Sequence, residues 1–414
     1  MKANISLCLV WLTIFLAFPF SLSQAYGLPY MVLIPLFAMV LLAINFKEIL
    51  ISKIDVNIFA IIIAQILFAA LWLIIHNSLA YINLMSQYFV ALVVYCSIVA
   101  IGFDKFLTSF KRILVVMSIC SLIIFLLGIF INIPFYEEFK NPDGRSNYNF
   151  IISFSNTVYD IGSVRLIRPS GFFDEPGSLS FYLVILLIIN ELYFKQTFLK
   201  YLIIICGCAT LSIAFYIILI IYFLLNIKSW FSMRAFIATI GVCMLFLYFI
   251  SKLSVEQETV LKRFTIDRLT SLFQDEVTST GYNQGNNRKE LIENAIIAVS
   301  AKPLTGLGLS YAVDPGSILY GKFMGANIIG IVGIHGIIGG TIFSLHLLYL
   351  IYICFRLAPN KLDKPKKMLI LYLILLLQRP DYIGGILTYV AVIILIFSVQ
   401  NYYVCRSKEE KLLS

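Results

Sequence analysis

Charge is scarce in this sequence of 414 residues: Asp, Glu, Lys and Arg together make up 13% of it, against roughly 25% in soluble domains. Hydrophobic residues reach 60%, and the mean hydropathy is +0.93. This composition excludes an ordinary soluble enzyme. Apolar runs of about 17 to 25 residues recur along the chain, and each is long enough to cross a hydrocarbon core about 30 Å thick. The sequence therefore predicts an all-α, polytopic integral membrane protein.

Residues that hold metals, nucleotides or disulfides are also scarce. The three histidines have no metal-ligand spacing. None of the eight cysteines falls in the two long polar segments, 134–176 and 251–327. The phosphate-binding pattern G-x-x-x-x-G-K-[ST] is absent. We therefore expect no metal, no cofactor and no disulfide support for the polar segments.

The apolar runs predict about twelve transmembrane helices. Residues 199–225 are too long for one upright span and too short for two full ones, so Gly207, Thr210 and Ser212 are expected to break them into a hairpin. The provisional spans are 5–22, 28–46, 56–75, 82–103, 113–133, 177–194, 199–225, 235–250, 328–355 and 368–402, the last with a turn at 378–385. The chain then divides into helices 1–5 (1–133), a first large loop (134–176), central helices (177–250), a second large loop (251–327), and C-terminal helices with a tail (328–414).

The net charge of +9 would suit a nucleic-acid partner, but its distribution along the chain excludes that interpretation. More than half of the basic residues lie in the termini and short connections, which tend to stay in the cytoplasm when they are rich in Lys and Arg. This assignment places both termini in the cytoplasm and both large loops outside. The basic excess then orients the protein and adds an affinity for anionic lipid headgroups.

The first large loop ends in R-L-I-R-P-S-G-F-F-D-E-P-G, residues 165–177. Pro176 suits the first position of a helix, and Asp174 and Glu175 suit the positive end of its dipole. A loop-to-helix junction explains these residues without any chemistry. It does not explain Arg165 and Arg168, because two guanidiniums at the outer face of a membrane can hold a phosphate while a carboxylate handles a proton.

The second large loop contains a predicted amphipathic helix over residues 287–300. We expect it to lie against the membrane or the other loop. Arg288 and Lys289 occupy its first turn, where the helix dipole disfavours positive charge, so a bound anion is expected there. Pro303, Gly306 and Gly308 then end the helix. Its apolar residues recur at helical spacing: Leu291, Ile292, Ala295, Ile296 and Val299.

Glycine recurs every third residue where the chain re-enters the membrane, at Gly330, Gly333, Gly336 and Gly339. Small residues at this spacing most often allow helices to pack closely, and we expect that role here. His335 lies among them, and a single histidine in a helix is more often a packing residue than a ligand. The few polar residues within spans, such as Gln65 and His346, are interpreted as helix contacts rather than as a translocation site.

The two loop segments together resemble a known family, the bacterial O-antigen polymerases and the related O-antigen ligases. Residues 168–177, R-P-S-G-F-F-D-E-P-G, look like the family's R-x-x-G-x-F-x-E-P-G at the end of the first large periplasmic loop. Residues 288–308 look like the pattern of its second loop, an Arg, an Ala seven residues on, and then P-x-x-G-x-G. The resemblance covers most of the chain as architecture, but only these two stretches as sequence.

The resemblance implies an enzyme that joins undecaprenyl-pyrophosphate-linked oligosaccharide repeat units at the periplasmic face of the bacterial inner membrane, by inverting glycosyl transfer. Arg168, Glu175 and Arg288 are the implied catalytic residues, with Glu175 as the general base. Membrane lipids, a chain-length regulator and a flippase of the same pathway are the other implied partners. The residues implied to bind the pyrophosphate and the glycan are Arg165, Gly171, Asp174, Lys289, Asn327 and His335.

The chain departs from the family pattern in places, and alternatives stay open. Ligases usually have a His-Asn pair where the second loop re-enters the membrane, whereas this sequence has Ala326 and Asn327, which favours a polymerase. The paired R-x10-G repeats of some polymerases are not evident, and Ile213 follows Ser212 where the family has an S-R turn. The alternatives are a ligase that transfers glycan to lipid A core, a lipid-linked oligosaccharide flippase or other transporter, and a structural partner of the assembly machinery. A flippase is expected to carry basic residues inside the bundle.

Overall fold

The computed structural model describes residues 2–17, 20, 30–131, 133–140, 146–161, 164–226, 288–322, 324, 329–357, 362–378 and 386–413. Within these ranges, six helices are long and apolar enough to cross a membrane, or seven if a bent pair counts as one span. The described fold is mostly helical and fits a multi-pass membrane protein. The predicted span 235–250 lies outside the described residues, so the total of twelve crossings stays a prediction.

The described helices, in chain order, are α1 (Lys2–Leu16), α2 (Tyr30–Ile51), α3 (Val56–His76), α4 (Ala80–Ile101), α5 (Phe103–Phe130), α6 (Pro176–Ile189), α7 (Thr197–Ala209), α8 (Ile213–Leu225), α9 (Arg288–Ala301), α10 (Gly330–Phe343), α11 (Leu345–Leu357), α12 (Lys364–Gln378) and α13 (Ile386–Leu413). Helices α2 to α4 agree with the predicted spans within a few residues. The two helices predicted on either side of the turn at 378–385 are confirmed, although residues 379–385 lie outside the described ranges.

Helix α5 begins well before the span predicted at residue 113. Gly102 adopts a positive φ of +100° and sets the turn before the helix. Asp104, Lys105 and Arg112 lie within the helix but keep their side chains exposed. These charged residues delay the start of the apolar run in the sequence, although the helix itself has already begun.

Residues 199–225 form the predicted hairpin of short helices, α7 and α8. The Lys200 Nζ atom, near the start of α7, lies 2.6 Å from Glu191 Oε1. The hydroxyl of Tyr222, near the end of α8, donates to the same oxygen at 2.8 Å. Because both helices return to one carboxylate, the chain reverses direction in the turn at Thr210–Ser212. Glu191 itself lies in a single π-helical turn that continues α6.

The single span predicted for residues 328–355 is a bent pair of helices, because α10 and α11 meet at an angle of 43°. Gly336 also leaves the helical conformation within α10, with φ +71°. The Gln65 side chain of α3 donates hydrogen bonds to the carbonyls of Ile342 (3.2 Å) and Phe343 (3.1 Å). Carbonyls at a helix end have no helical partner, so Gln65 stabilises this break. The interpretation of Gln65 as a helix contact is confirmed.

The first large loop contains β-strands, which corrects the all-α prediction. Within the described residues they form a three-stranded and a two-stranded antiparallel sheet. In register, Glu138 lies opposite Tyr148, and Tyr159 lies opposite Leu166. Strands this short leave no alternation that is visible in a sequence of this hydrophobicity. The strands are β1 (Glu137–Lys140), β2 (Ser146–Asn149), β3 (Phe154–Ser155), β4 (Val158–Ile161) and β5 (Val164–Ile167).

The described parts of the two large loops lie at the same end of the bundle. Helices α3, α4 and α5 alternate in direction, so the end of α3 lies at the end of the bundle where α5 leads into the first loop. In the second loop, Ser310 Oγ is 2.6 Å from Ser78 Oγ in the connection after α3. At the opposite end, Lys200 and Lys364 both pair with Glu191. The compartment that each end faces stays a prediction.

This arrangement predicts the accessibility of introduced cysteines. Cysteines at the exposed positions Glu138 and Gly316, one in each loop, should react alike with a membrane-impermeant thiol reagent, and a cysteine at exposed Arg356 should behave oppositely. A cysteine at Ser155, in strand β3 of the first loop, would be fully buried and could not report on the accessibility of that loop. The measurement is labelling of outer-membrane-permeabilised cells before and after lysis, in a parent without native cysteines. Different labelling at Glu138 and Gly316 in intact cells would contradict the arrangement.

Candidate functional site

The segment Arg168–Gly177 runs from strand β5 to the first turn of α6, and its backbone is fixed by the sheets. The Arg168 N–H donates to the Thr157 carbonyl at 3.1 Å, and Ser155 Oγ donates to the Arg168 carbonyl at 2.7 Å. Helix α6 begins at Pro176, as predicted, and each of its residues is buried. The segment therefore joins the loop to the most enclosed part of the bundle.

The Arg168 side chain is 8% exposed and reaches the turn of the α7–α8 hairpin. Its Nη2 atom donates to the Leu211 carbonyl at 3.1 Å. Leu211 has φ +50°, a left-handed conformation that is uncommon for residues other than glycine. At the other end of the segment, Ser180 Oγ lies 2.8 Å from the Gly177 carbonyl and donates to Ser212 Oγ at 3.0 Å. The turn is thus bound to both ends of the segment.

The two acidic residues before α6 have different surroundings. Asp174 is buried, its Oδ1 atom accepts a 2.5 Å hydrogen bond from Ser178 Oγ, and its carbonyl accepts from Asn147 Nδ2 at 3.3 Å. Glu175 occupies the N-cap position, where its backbone carbonyl accepts from the Ser178 N–H at 3.0 Å. Its half-buried side chain makes no capping hydrogen bond. Capping through the carboxylate, the structural alternative for Glu175, therefore does not account for it.

Arg165 packs just beyond the end of α5, and Gly171 packs against the middle of that helix. Arg165 Nη1 donates to the Ile133 carbonyl at 2.8 Å, and its guanidinium lies 5.5 Å from the centre of the Phe135 ring. Gly171 has φ +63°, and a Cβ atom there would lie 3.3 Å from Met117 Cε. Both were predicted to bind substrate, and that role stays a prediction; the structure shows a packing contact for each.

The second segment begins with α9 at Arg288, as predicted, and the helix ends at Ala301 before Pro303. The side chains of Arg288 and Lys289, and the whole of Asn327, lie outside the described residues. The described part of α9 thus agrees with the predicted helix 287–300, whereas contacts of these predicted ligands with Arg168 stay a prediction.

The P-x-x-G-x-G residues 303–308 pair with the unwound part of α10. The Ile337 N–H donates to the Pro303 carbonyl at 2.8 Å, and the Gly308 N–H donates to the Ile334 carbonyl at 2.8 Å. Gly306 has φ +71°, and a Cβ atom there would lie 2.3 Å from the Ile334 carbonyl oxygen. The expected packing role of the α10 glycines is confirmed at Gly333 and Gly339, whose Cβ positions lie within 3.1 Å of Met324 and Ala298, and of His335 and Trp72, respectively.

His335 is buried beneath the second loop in a cluster that the sequence did not indicate. Its Nδ1 atom is 3.1 Å from the Tyr81 hydroxyl, and its carbonyl accepts from Trp72 Nε1 at 3.1 Å. Nearby, His76 Nε2 is 2.9 Å from the Thr305 carbonyl. Trp72 and His76 lie four residues apart at the end of a span, where amphipathic rings are common, so their spacing alone did not mark a cluster.

Within the described part of the chain, no group of three His, Cys, Asp or Glu side chains is arranged to hold a metal ion. Comparison with known proteins finds no family model that matches the chain and no curated protein that matches its sequence.

The contact between the second loop and α10 predicts a large effect of Gly306→Ala. The new Cβ atom would overlap the Ile334 carbonyl, and alanine is strained at φ +71°, so we expect a loss of about 2–3 kcal/mol of stability. Gly316→Ala is the matched control, because its Cβ atom would lie 3.4 Å from Asp314 in an exposed turn. The measurement is thermal unfolding of the purified proteins in detergent; equal melting temperatures would refute the assigned role of Gly306.

Proposed function

We propose that this chain is an O-antigen polymerase of the bacterial inner membrane, with both termini in the cytoplasm and both large loops in the periplasm. It joins oligosaccharide repeat units carried on undecaprenyl pyrophosphate during lipopolysaccharide O-antigen biosynthesis. The observation that carries the proposal is Arg168, a buried guanidinium at the loop end of the bundle, on the same short segment as Asp174 and Glu175. The resemblance of this segment to the polymerase family supplies the reaction.

In the proposed reaction, the hydroxyl oxygen of the acceptor unit attacks the anomeric carbon of the donor chain. A glycosidic bond forms as the bond from that carbon to the pyrophosphate oxygen breaks, with inversion, and the leaving pyrophosphate takes the electron pair. Glu175 accepts the hydroxyl proton. Arg165, Arg168 and Arg288 stabilise the negative charge that develops on the leaving group. No nucleotide sugar is needed.

Charge placement favours chemistry at the membrane surface over transport. Among the described residues, the buried charged side chains are Arg168 and Asp174 at the loop end and Glu191 and Lys366 at the opposite end. A flippase for an anionic lipid is expected to place ionisable groups along a path through the bundle. The described interior between the two ends is apolar or neutral, which supports an enzyme.

Replacing Arg168 or Arg288 by Ala should abolish chain extension, since loss of one donor to a developing anion costs about 10²–10³-fold in rate. The measurement is gel analysis of surface polysaccharide from deletion cells that carry each variant. Lys140→Ala and Lys302→Ala remove exposed cations from the same two loops and should leave the ladder unchanged. Immunoblots of the membrane fraction separate lost activity from lost protein.

Two outcomes of this experiment would overturn the proposal. Normal ladders from both arginine variants would show that neither arginine is needed for chain extension, and would exclude the proposed catalytic site. If deletion leaves no repeat unit on the lipid A core, instead of a single unit, the protein is a ligase or a flippase. A single unit in the deletion strain, with a ladder restored by wild type alone, supports a polymerase.

Glu175→Gln should lose chain extension while the melting temperature in detergent stays within a few degrees of wild type. Glutamine keeps the size of the side chain and one acceptor oxygen, whereas an amide cannot accept the proton. Glu138→Gln, exposed in the same loop, is the control. Retained activity would exclude Glu175 as the base.

A further inference from the structure

Helix α9 has an exposed apolar flank at the loop end of the bundle. Ile292 and Ile296 are 41% and 49% exposed, and they lie on one face because they are four residues apart. A second face is buried: Ala298 and Ala295 pack on α10, where Gly333 leaves only 3.1 Å between its Cβ position and Ala298 Cβ. The apolar part of this helix is thus wider than the face that α10 covers.

The rest of the exposed surface of α9 is mixed: it carries two carboxylates, and Ile297, 43% exposed, lies between them. Glu290 and Glu293 are exposed, and their spacing of three places them on one face, rotated away from Ile292 and Ile296. The helix therefore presents three regions: one packed on α10, one apolar and uncovered, and one that carries both carboxylates together with Ile297. A helix with this division suits the boundary between water and acyl chains.

The apolar flank continues onto a surface that faces lipid. Leu304, just after α9, is 60% exposed, and its carbonyl accepts from the Ile338 N–H at 3.3 Å. Ile337 and Ile338 are themselves exposed on α10, which with α11 forms a bent pair apolar and long enough to cross a membrane. Exposed apolar side chains on such a helix contact acyl chains. Since exposed Leu304 follows the end of α9 by three residues and is bonded to Ile338, we infer the same occupant for the apolar flank of α9.

We propose that α9 is an interfacial helix, with Ile292 and Ile296 among the acyl chains of the leaflet nearest the loops and Glu290 and Glu293 in water. The occupant of the flank is bilayer lipid. Helices of this kind lie about 5–10 Å into the headgroup and acyl boundary, so Arg288, at the start of α9, is held near the depth of the lipid phosphates. The relevance of this depth to pyrophosphate binding by Arg288 rests on the proposed function, whereas the contact of α9 with lipid does not.

Fluorescence quenching tests the proposal without any activity assay. Single cysteines at Ile292, Ile296, Glu290 and Glu293 in the cysteine-free parent are labelled with an environment-sensitive dye and studied in phosphatidylcholine and phosphatidylglycerol liposomes. Doxyl groups near the headgroup end of the acyl chains should quench labels at 292 and 296 at least twofold more than those at 290 and 293. Iodide in solution should show the reverse order. Labels at Ile337 and Asp314 provide the lipid and water references.

Three results would overturn the proposal. Equal iodide quenching at 293 and 296 would place the flank in water. Quenching of 292 and 296 by neither reagent would show that protein covers it, from a second copy or a partner. Doxyl quenching that falls when undecaprenyl phosphate is added would identify the polyprenyl substrate as the occupant. Because loss of polymerase activity enters none of these readouts, failure of the proposed function is distinguishable from failure of the lipid contact.

Discussion

Peptide groups that leave a helix inside a membrane must find other partners, because acyl chains offer none. The described bundle interrupts its helices at the α7–α8 turn and at Gly336. At the turn, the Leu211 carbonyl accepts a hydrogen bond from Arg168. At Gly336, the backbone of residues 303–308 pairs with that of α10, and Trp72 binds the His335 carbonyl. Each of the two loop segments that resemble the polymerase family thus stabilises one interruption.

The structural role of Arg168 and its proposed chemistry both require a guanidinium that is held in one position. Electrostatic stabilisation of a leaving group is effective when the donor is fixed before the reaction, because no free energy is then spent on its reorganisation. A long, flexible arginine in an open loop would not meet that condition. Bound to a turn whose other side is held by Ser180 and Ser212, the guanidinium has a defined position. The turn between α7 and α8 therefore fixes the position of the Arg168 guanidinium in the proposed site.

The sequence predicted the features that depend on local pattern and missed those that depend on contacts. The excess length of residues 199–225 indicated the hairpin, and the spacing of Leu291, Ala295 and Val299 indicated α9. The break at Gly336 was missed because glycine at every third position also suits an unbroken packed helix. The strands of the first loop have at most four residues, too few for a period to emerge. The cluster of His335 with Tyr81 joins helices that are far apart in sequence, and no local pattern encodes it.

The depth of Arg168 follows from the length of the hairpin. Its base is held at Glu191 by Lys200 and Tyr222, and each arm is a helix of 13 residues that rises about 20 Å. A hydrocarbon core is about 30 Å thick, so the turn ends short of the loop surface and Arg168 reaches inward to meet it. Under the proposed function, the two anchored arms of the hairpin therefore set the height at which the cation meets the pyrophosphate.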